Sequence, residues 1–424
     1  MNIRNRILTF LTFSVLSSLC VSAQDFEDRV RNDKDIAAGV YHPYHHGDLR
    51  DTPAPKGYKA FYISHYGRHG SRYHASDGYF KSAKEGLQKG MEEGILTETG
   101  KRLYNDFFTL YNAHDGMLGE LTPRGALEHR GIADRMHNRF NDVFKSKQRT
   151  DINCIASIIP RCIISMANFS SELKGLDPRL AFSFDTGARY FRYICKEIDS
   201  KELFDKCNHF EDSVRAATCH YDKLMNSIFT DPAKGAEAVK NPQKFIKSLF
   251  ISGSICGDLD FLGIDLFDYF DTEELLEQAL VRSDKFYGQF GNSAEWGAVS
   301  SAAAKDLVKD FVSKADNAVK DGSTTAADLR FGHDTGILPF YGLIGIEGMN
   351  VRYPMAEGHK HWTTYDDIPM ATNFQMIFYK NKKGDILVKM LNNEEETMIP
   401  ALETAYGPYY KWSDLRQYLL RLTE

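Results

Sequence analysis

Beyond its first two dozen positions, the 424-residue chain has no apolar run approaching the roughly 18 residues of a membrane-spanning helix. Basic charge is also in short supply. Its 52 lysines and arginines face 58 acidic residues, for a formal net charge of −6. An acidic chain is a poor generic nucleic-acid binder, so no nucleic-acid partner is expected. None of the cysteines forms a CxxC pair with metal-ligand spacing. That argues against a zinc site, and no metal or other cofactor is expected. Internal repeats, low-complexity tracts and Pro/Gly-rich linkers are missing too. What remains is a globular composition, 42% hydrophobic and ample for a sizeable core.

The one long apolar run is N-terminal. Arg4 and Arg6 precede "ILTFLTFSVLSSL", and "VSA" stands before Gln24. This is the pattern of a secretory signal peptide, residues 1–23, cleaved after Ala23. Leu19 is bulky where a lipidation signal at Cys20 would take a small residue, which argues against a lipid anchor. The mature chain is therefore expected to be exported, periplasmic or extracellular, with no membrane contact. Loss of Arg4 and Arg6 deepens the net charge to −8. Cys154, Cys162, Cys195, Cys207, Cys219 and Cys256 remain, and an even number in an oxidising compartment predicts disulfides. Their pairing and the subunit number are not specified by the sequence.

Residues 24–424 exceed a typical single domain. "YKAFYIS" reads as a buried strand, followed by helical patterns over 78–93, 97–113 and 123–144. Thr122 and Pro123 supply an N-cap and a first helical position for the last of these. "INCIASII" is a second strand, and Pro160 opens another helix. Such alternation predicts an α/β fold, a mostly parallel sheet with helices on both faces. From 176 to 319 long helical periods dominate, which predicts a mainly α-helical insertion. Strand and helix then return in "AADLRFG" and "HDTGILPFYGLIGI", and "NFQMIFYKNKKGDILVKML" reads as a hairpin turning at Lys382–Gly384. The expected organisation is an α/β domain of 24–175 and 320–424, interrupted by an insertion over 176–319. A cleft is expected between sheet edge and insertion.

Three segments place polar or cationic residues where a strand ends: "GRHGSR", "SIIPRC" and "FGHDTG". In open α/β sheets, ligands bind beyond the carboxyl ends of the strands. Arg68, His69, Arg72, Arg161 and His333 would converge there. Three guanidiniums offer planar bidentate donors suited to phosphate. His69, flanked by Gly67–Arg68 and Gly70, has little bulk around it. Each piece alone is weak, since an Arg-His-Gly triplet or a His-Asp dipeptide is common on solvated loops. Their shared position after strands carries the reading.

With these motifs the chain resembles the histidine acid phosphatase family, the phytase-containing branch of the histidine phosphatase superfamily. "RHGSR" (68–72) matches its RHGxR motif, and "HD" (333–334) matches its distal motif. "GELTPRGALEHRGIADRMHNRF", "SIIPRCIISMANF" and the hairpin running into "LNNEEETMIP" extend the similarity from about residue 58 to 400. "RHGSRY" also resembles multiple inositol polyphosphate phosphatases, although these commonly carry His-Ala-Glu where this chain has His333-Asp334. The resemblance implies an exported phosphomonoesterase acting on a small-molecule phosphomonoester, phytate or another inositol phosphate. It implies His69 as the nucleophile that forms a phosphohistidine. Arg68, Arg72, Arg161 and His333 would hold the phosphoryl oxygens, and Asp334 would protonate the leaving oxygen. The arginines would supply the positive charge that phosphoryl transfer needs.

A broad-specificity acid phosphatase would use the same chemistry. A mutase of the phosphoglycerate type fits less well, because the signal peptide, Arg72 and the His-Asp pair all count against it. A non-catalytic phosphoester-binding module could dispense with His69 or Asp334, and both are present. Arg189 and Arg192 in "GARYFRY" are candidates for holding further phosphates, with a solvated helix face as the blander reading. His65 and His74 flank the motif and read first as packing residues. His42, His45 and His46 read as a polar N-terminal segment, and His359 and His361 carry no assigned role.

Overall fold

The structure, a computed structural model, describes residues 21–194 and 196–424. The expected signal peptide lies outside the described residues except for its last three positions. The strands are β1 (Lys59–Arg68), β2 (Asp151–Ala156), β3 (Ala181–Thr186), β4 (Thr325–Gly332), β5 (Asn373–Lys380), β6 (Ile386–Asn392), β7 (Glu395–Thr397) and β8 (Tyr409–Lys411). They form one sheet in the order β3-β2-β4-β1-β5-β6-β7, with β8 also on β6. The first four are mutually parallel, and β5 onward extends the sheet in antiparallel fashion. This is the expected α/β class. β1, β4 and β5 are buried on both faces, which is why they read as nearly continuous apolar runs.

Helices cover both faces. On one, Ile132, Met136, Met166 and Phe169 from Pro123–Arg139 and Pro160–Leu176 pack on Ile63, Ile152 and Ile377 of the strands. The Thr122 hydroxyl accepts the Gly125 N–H at 3.2 Å, the N-cap expected from the sequence. On the other face a continuous apolar core runs from Tyr62 and Phe374 to Phe245, Phe250 and Phe286 of the inserted segment.

β3 falls inside the stretch that the sequence assigns to an insertion, yet it pairs with β2. Helix Lys305–Ala318 packs back on β1 and β4. The chain thus leaves the sheet after Thr186 and returns at about Lys305. β3 was illegible because it is an edge strand whose side chains are mostly exposed, so it carries no clean apolar alternation.

The expected disulfides are absent among the described residues. Cys154, Cys207, Cys219 and Cys256 are free and buried, and Cys162 is buried with its Sγ 3.2 Å from Gly332 O. They sit in separate elements and fill space as small apolar side chains. Cys195 lies outside the described residues.

The core also holds histidines. His129 lies under the sheet against Phe331 and Phe169, and burial lowers its pKa to about 3. An unfolded-state histidine titrates near 6.5, so below that pH the unfolded chain gains a proton that the folded chain refuses. This contribution to stability is complete above about pH 6.5 and lost progressively as pH falls. The variant His129→Leu is therefore expected to gain about 2 kcal/mol relative to wild type between pH 7.5 and pH 5, read from denaturant unfolding at the two values. A constant difference would show that His129 titrates alike in both states.

Candidate active site

Parallel pairing of β1 with β4 sets Arg68 opposite Gly332, and pairing of β2 with β4 sets Ala156 opposite Phe331. The residues just past these ends, His69, Ser157 and His333, therefore emerge at one level. Arg161 joins them from the first turn of helix Pro160–Leu176, and Asp334 opens helix Asp334–Ile344. All six residues expected at the site are brought together. Close packing demands glycine here: a Cβ on Gly332 would collide with the Tyr66 hydroxyl, which itself receives the His333 N–H at 3.1 Å.

Arg68 is fully buried. Its Nη1 donates to the carbonyls of Val40 and Ile368 at 2.7 and 2.8 Å, and its Nη2 lies 3.0 Å from Asp334 Oδ2. Arg72 Nη1 donates to Tyr73 O at 2.9 Å, with the guanidinium carbon 5.3 Å from the Tyr41 ring centre. Arg161 Nη2 is 3.5 Å from His333 Nδ1. The Nε groups of Arg68, Arg72 and Arg161 are buried with no hydrogen-bond partner among the described residues. Buried donors of this kind are costly unless an acceptor arrives, and an anion is the acceptor that three guanidiniums suit.

His69 is buried, and its Nδ1 lies 3.0 Å from Gly70 O. With the proton on Nδ1 and donated to that carbonyl, Nε2 keeps its lone pair. Burial, then the charges of Arg161, Arg68 and Arg72, hold the ring well below the ordinary histidine pKa, so it is neutral. The His69 and His333 rings stand edge to face with centroids 5.5 Å apart. His333 Nε2 meets Ser157 Oγ at 3.0 Å, and burial lowers this ring to about 3. Asp334 Oδ1 accepts the Thr335 N–H at 2.9 Å. Burial raises the Asp334 carboxyl, but Arg68, His333 and Arg72 outweigh it and leave the pKa below the usual carboxylate value. In the free protein Asp334 is ionised.

A cavity of about 990 Å³ opens over this cluster. Arg161, His333, Asp334 and Thr335 form its floor, while Phe191, Arg192, Lys196, Ile198 and Phe204 come from the inserted segment. Arg192 thus reaches the cleft. Arg189 does not; it pairs with Asp185 and the Tyr190 hydroxyl. His65 packs on Phe169 and Phe331, and His74 bonds Ile251 O through Nε2. His45 stacks on Tyr365 and His42 meets that ring edge to face, His359 pairs with Asp284, and His361 stacks on Tyr353. None of these histidines lines the cavity.

Sequence reasoning missed the carboxyls behind the motif. Glu128 accepts the Ser71 N–H at 2.8 Å, the Ser71 hydroxyl at 2.7 Å and the Tyr44 N–H at 2.9 Å. Asp258, from the insertion, accepts the Arg72 N–H at 3.1 Å. Glu128 stands in a segment already singled out by resemblance, but nothing around Asp258 marks it.

A family model described as the histidine phosphatase superfamily (branch 2) matches residues 67–393. A search of curated proteins returned no match. Among solved structures, the Bifidobacterium longum multiple inositol polyphosphate phosphatase in complex with phosphate superposes with a TM-score of 0.74 at 20% identity, covering 92% of this chain and 98% of that one. The phytase from D. castellii follows at 0.66 and 16%, covering 92% and 85%. Hafnia alvei phytase in complex with myo-inositol hexakis sulphate gives 0.56 and 13%, covering 88% and 98%. At these identities the likeness establishes the fold.

Arg161 offers a direct check on convergence, since it lies far from the RHGSR motif in sequence. Replacing it with Ala removes a charge-assisted contact and is expected to weaken inorganic phosphate binding at least tenfold by calorimetry. Equal affinity in wild type and variant would place Arg161 outside the anion site.

Proposed function

The chain belongs to branch 2 of the histidine phosphatase superfamily and is a histidine-type phosphatase; from that premise we propose that it hydrolyses inositol polyphosphates through a phosphohistidine at His69. One observation carries the covalent step: a neutral imidazole, tied by Nδ1 to Gly70 O, sits among three guanidiniums with unpartnered Nε donors. Nε2 attacks phosphorus, the P–O bond to the leaving group breaks, and the phosphoryl group rests on His69. Arg68, Arg72, Arg161 and His333 stabilise the charge on the phosphoryl oxygens. Water then attacks phosphorus, the N–P bond breaks, and inorganic phosphate leaves.

The substrate class rests on the fold shared with the inositol polyphosphate phosphatase and phytases, and on Arg192 and Lys196 at the cavity wall. Those two cations suit phosphates beyond the one being cleaved. A second reading has its own support. Phe191, Phe204 and Phe290 give the same cavity an apolar wall that would accept aryl phosphomonoesters, as a broad-specificity acid phosphatase requires. Measured kcat/KM for phytate, its lower phosphates and 4-nitrophenyl phosphate, with chelator present, separates the two. The primary reading expects inositol phosphates to lead; a uniform preference for the aryl ester would favour the second.

For the covalent step, acid-labile, alkali-stable phosphoenzyme should be trapped on wild type by rapid quench and be absent from a folded His69→Ala variant, whose turnover falls to background. Label persisting in that variant would move the nucleophile elsewhere.

Asp334 is ionised in the free protein, so its acid role requires substrate. A phosphate charge at ~5 Å and an effective dielectric of ~20 is worth roughly 3 kcal/mol, or about two pKa units upward. It also competes for Arg68. Asp334 then carries the proton in the complex and gives it to the leaving oxygen. Asp334→Asn is expected to slow the phosphorylation burst about 10²-fold or more with an inositol phosphate. The burst with 4-nitrophenyl phosphate, whose leaving group departs as an anion, should change far less. Equal slowing of both would remove Asp334 from the acid role.

A further inference from the structure

Behind the anion site, two successive backbone amides of the RHGSR motif are held by carboxyls from different parts of the chain. The Ser71 N–H goes to Glu128 on helix Pro123–Arg139, and the Arg72 N–H goes to Asp258 on the inserted turn Cys256–Leu262. Asp258 is wholly buried, and its second oxygen, Oδ1, has no hydrogen-bond partner among the described residues. The turn that carries it is clipped to the same helix from outside. Arg124 Nη1 donates to Gly257 O at 3.1 Å and pairs with Asp260 Oδ2 at 3.0 Å.

We propose that Asp258 is a positioning residue for Arg72, through which the seating of the inserted turn on the phosphatase body sets the geometry of the anion clamp. The proposal rests on the reading that Arg72 holds the phosphoryl group. The Arg72 side chain has few fixed points: one bond from Nη1 to Tyr73 O, and the face of Tyr41. Its aim therefore follows its backbone. The backbone at Ser71 and Arg72 cannot lean on the neighbouring helix in any other register, because a Cβ on Gly125 would strike Ser71 O. Glu128 fixes one amide from that helix, and Asp258 fixes the next from the inserted turn. A free Arg72 amide in this dry setting would cost more than the bond is worth in water.

The bond requires an acceptor, not a charge. Burial, reinforced by the nearby Glu128 charge, holds the Asp258 carboxyl well above its ordinary pKa and disfavours its charged form. An amide can present the same oxygen to the Arg72 N–H. Alanine cannot. This separates positioning from a general loss of packing.

The test compares wild type, Asp258→Ala, Asp258→Asn and Arg124→Gln by calorimetric binding of inorganic phosphate and by KM and kcat for 4-nitrophenyl phosphate. Asp258→Ala is expected to bind phosphate about tenfold more weakly and to raise KM in parallel. Asp258→Asn should recover most of that loss. Arg124→Gln, which loosens the turn from the surface, should weaken phosphate binding about threefold. Wild-type phosphate affinity in Asp258→Ala overturns the proposal, and so does a failure of Asn to recover what Ala loses. Should the Ala variant not fold, unchanged affinity in Arg124→Gln overturns it instead. Failure of wild type itself to bind phosphate would refute the anion site and not the coupling.

Discussion

The contact between Arg68 and Asp334, 3.0 Å across the ends of β1 and β4, is the constraint from which the site follows. It requires the two strands to be parallel neighbours in one register, because only then do "RHG" and "HD" end side by side. Arg68 is completely buried, so its charge must be met within the protein, and Val40 O, Ile368 O and Asp334 meet it. The first two carbonyls come from the N-terminal segment and from the loop before β5. Pieces of chain more than 300 residues apart are thus tied to one guanidinium.

The same burial decides the chemistry. A histidine among cations in a dry pocket cannot hold a proton, and one with Nδ1 committed to a carbonyl has only Nε2 to offer. On the proposed mechanism the cluster would supply both halves of what a phosphoryl-transfer site needs: positive charge for the transferring group and a neutral nucleophile. Carboxyl groups hold the loop from behind, accepting the amides of Ser71 and Arg72 without occupying the anion's place.

Much of this was legible in the sequence because strand ends and helix starts are marked locally. Thr122-Pro123 and Pro160 announced their helices, and the apolar runs of β1, β2 and β4 announced buried strands that deliver Arg68, Ala156 and Gly332 to one edge. What stayed hidden depends on three-dimensional neighbours. β3 is an edge strand with exposed side chains, so its residues lacked the pattern of a sheet element. The cysteines suggested crosslinks by number and compartment, yet Cys154, Cys207, Cys219 and Cys256 are scattered through the core as free thiols. Asp258 reaches the RHGSR loop from an inserted turn 186 residues away, a distance no local motif spans.

The central claim is that His69 is neutral with Nε2 unprotonated before substrate arrives. Nitrogen-detected NMR of ring-labelled protein, with His69 assigned from the His69→Ala spectrum, measures both properties at once. The account predicts a neutral Nδ1–H tautomer that persists from pH 7 down to pH 5. A ring that titrates near 6.5, or one that carries its proton on Nε2, would contradict it.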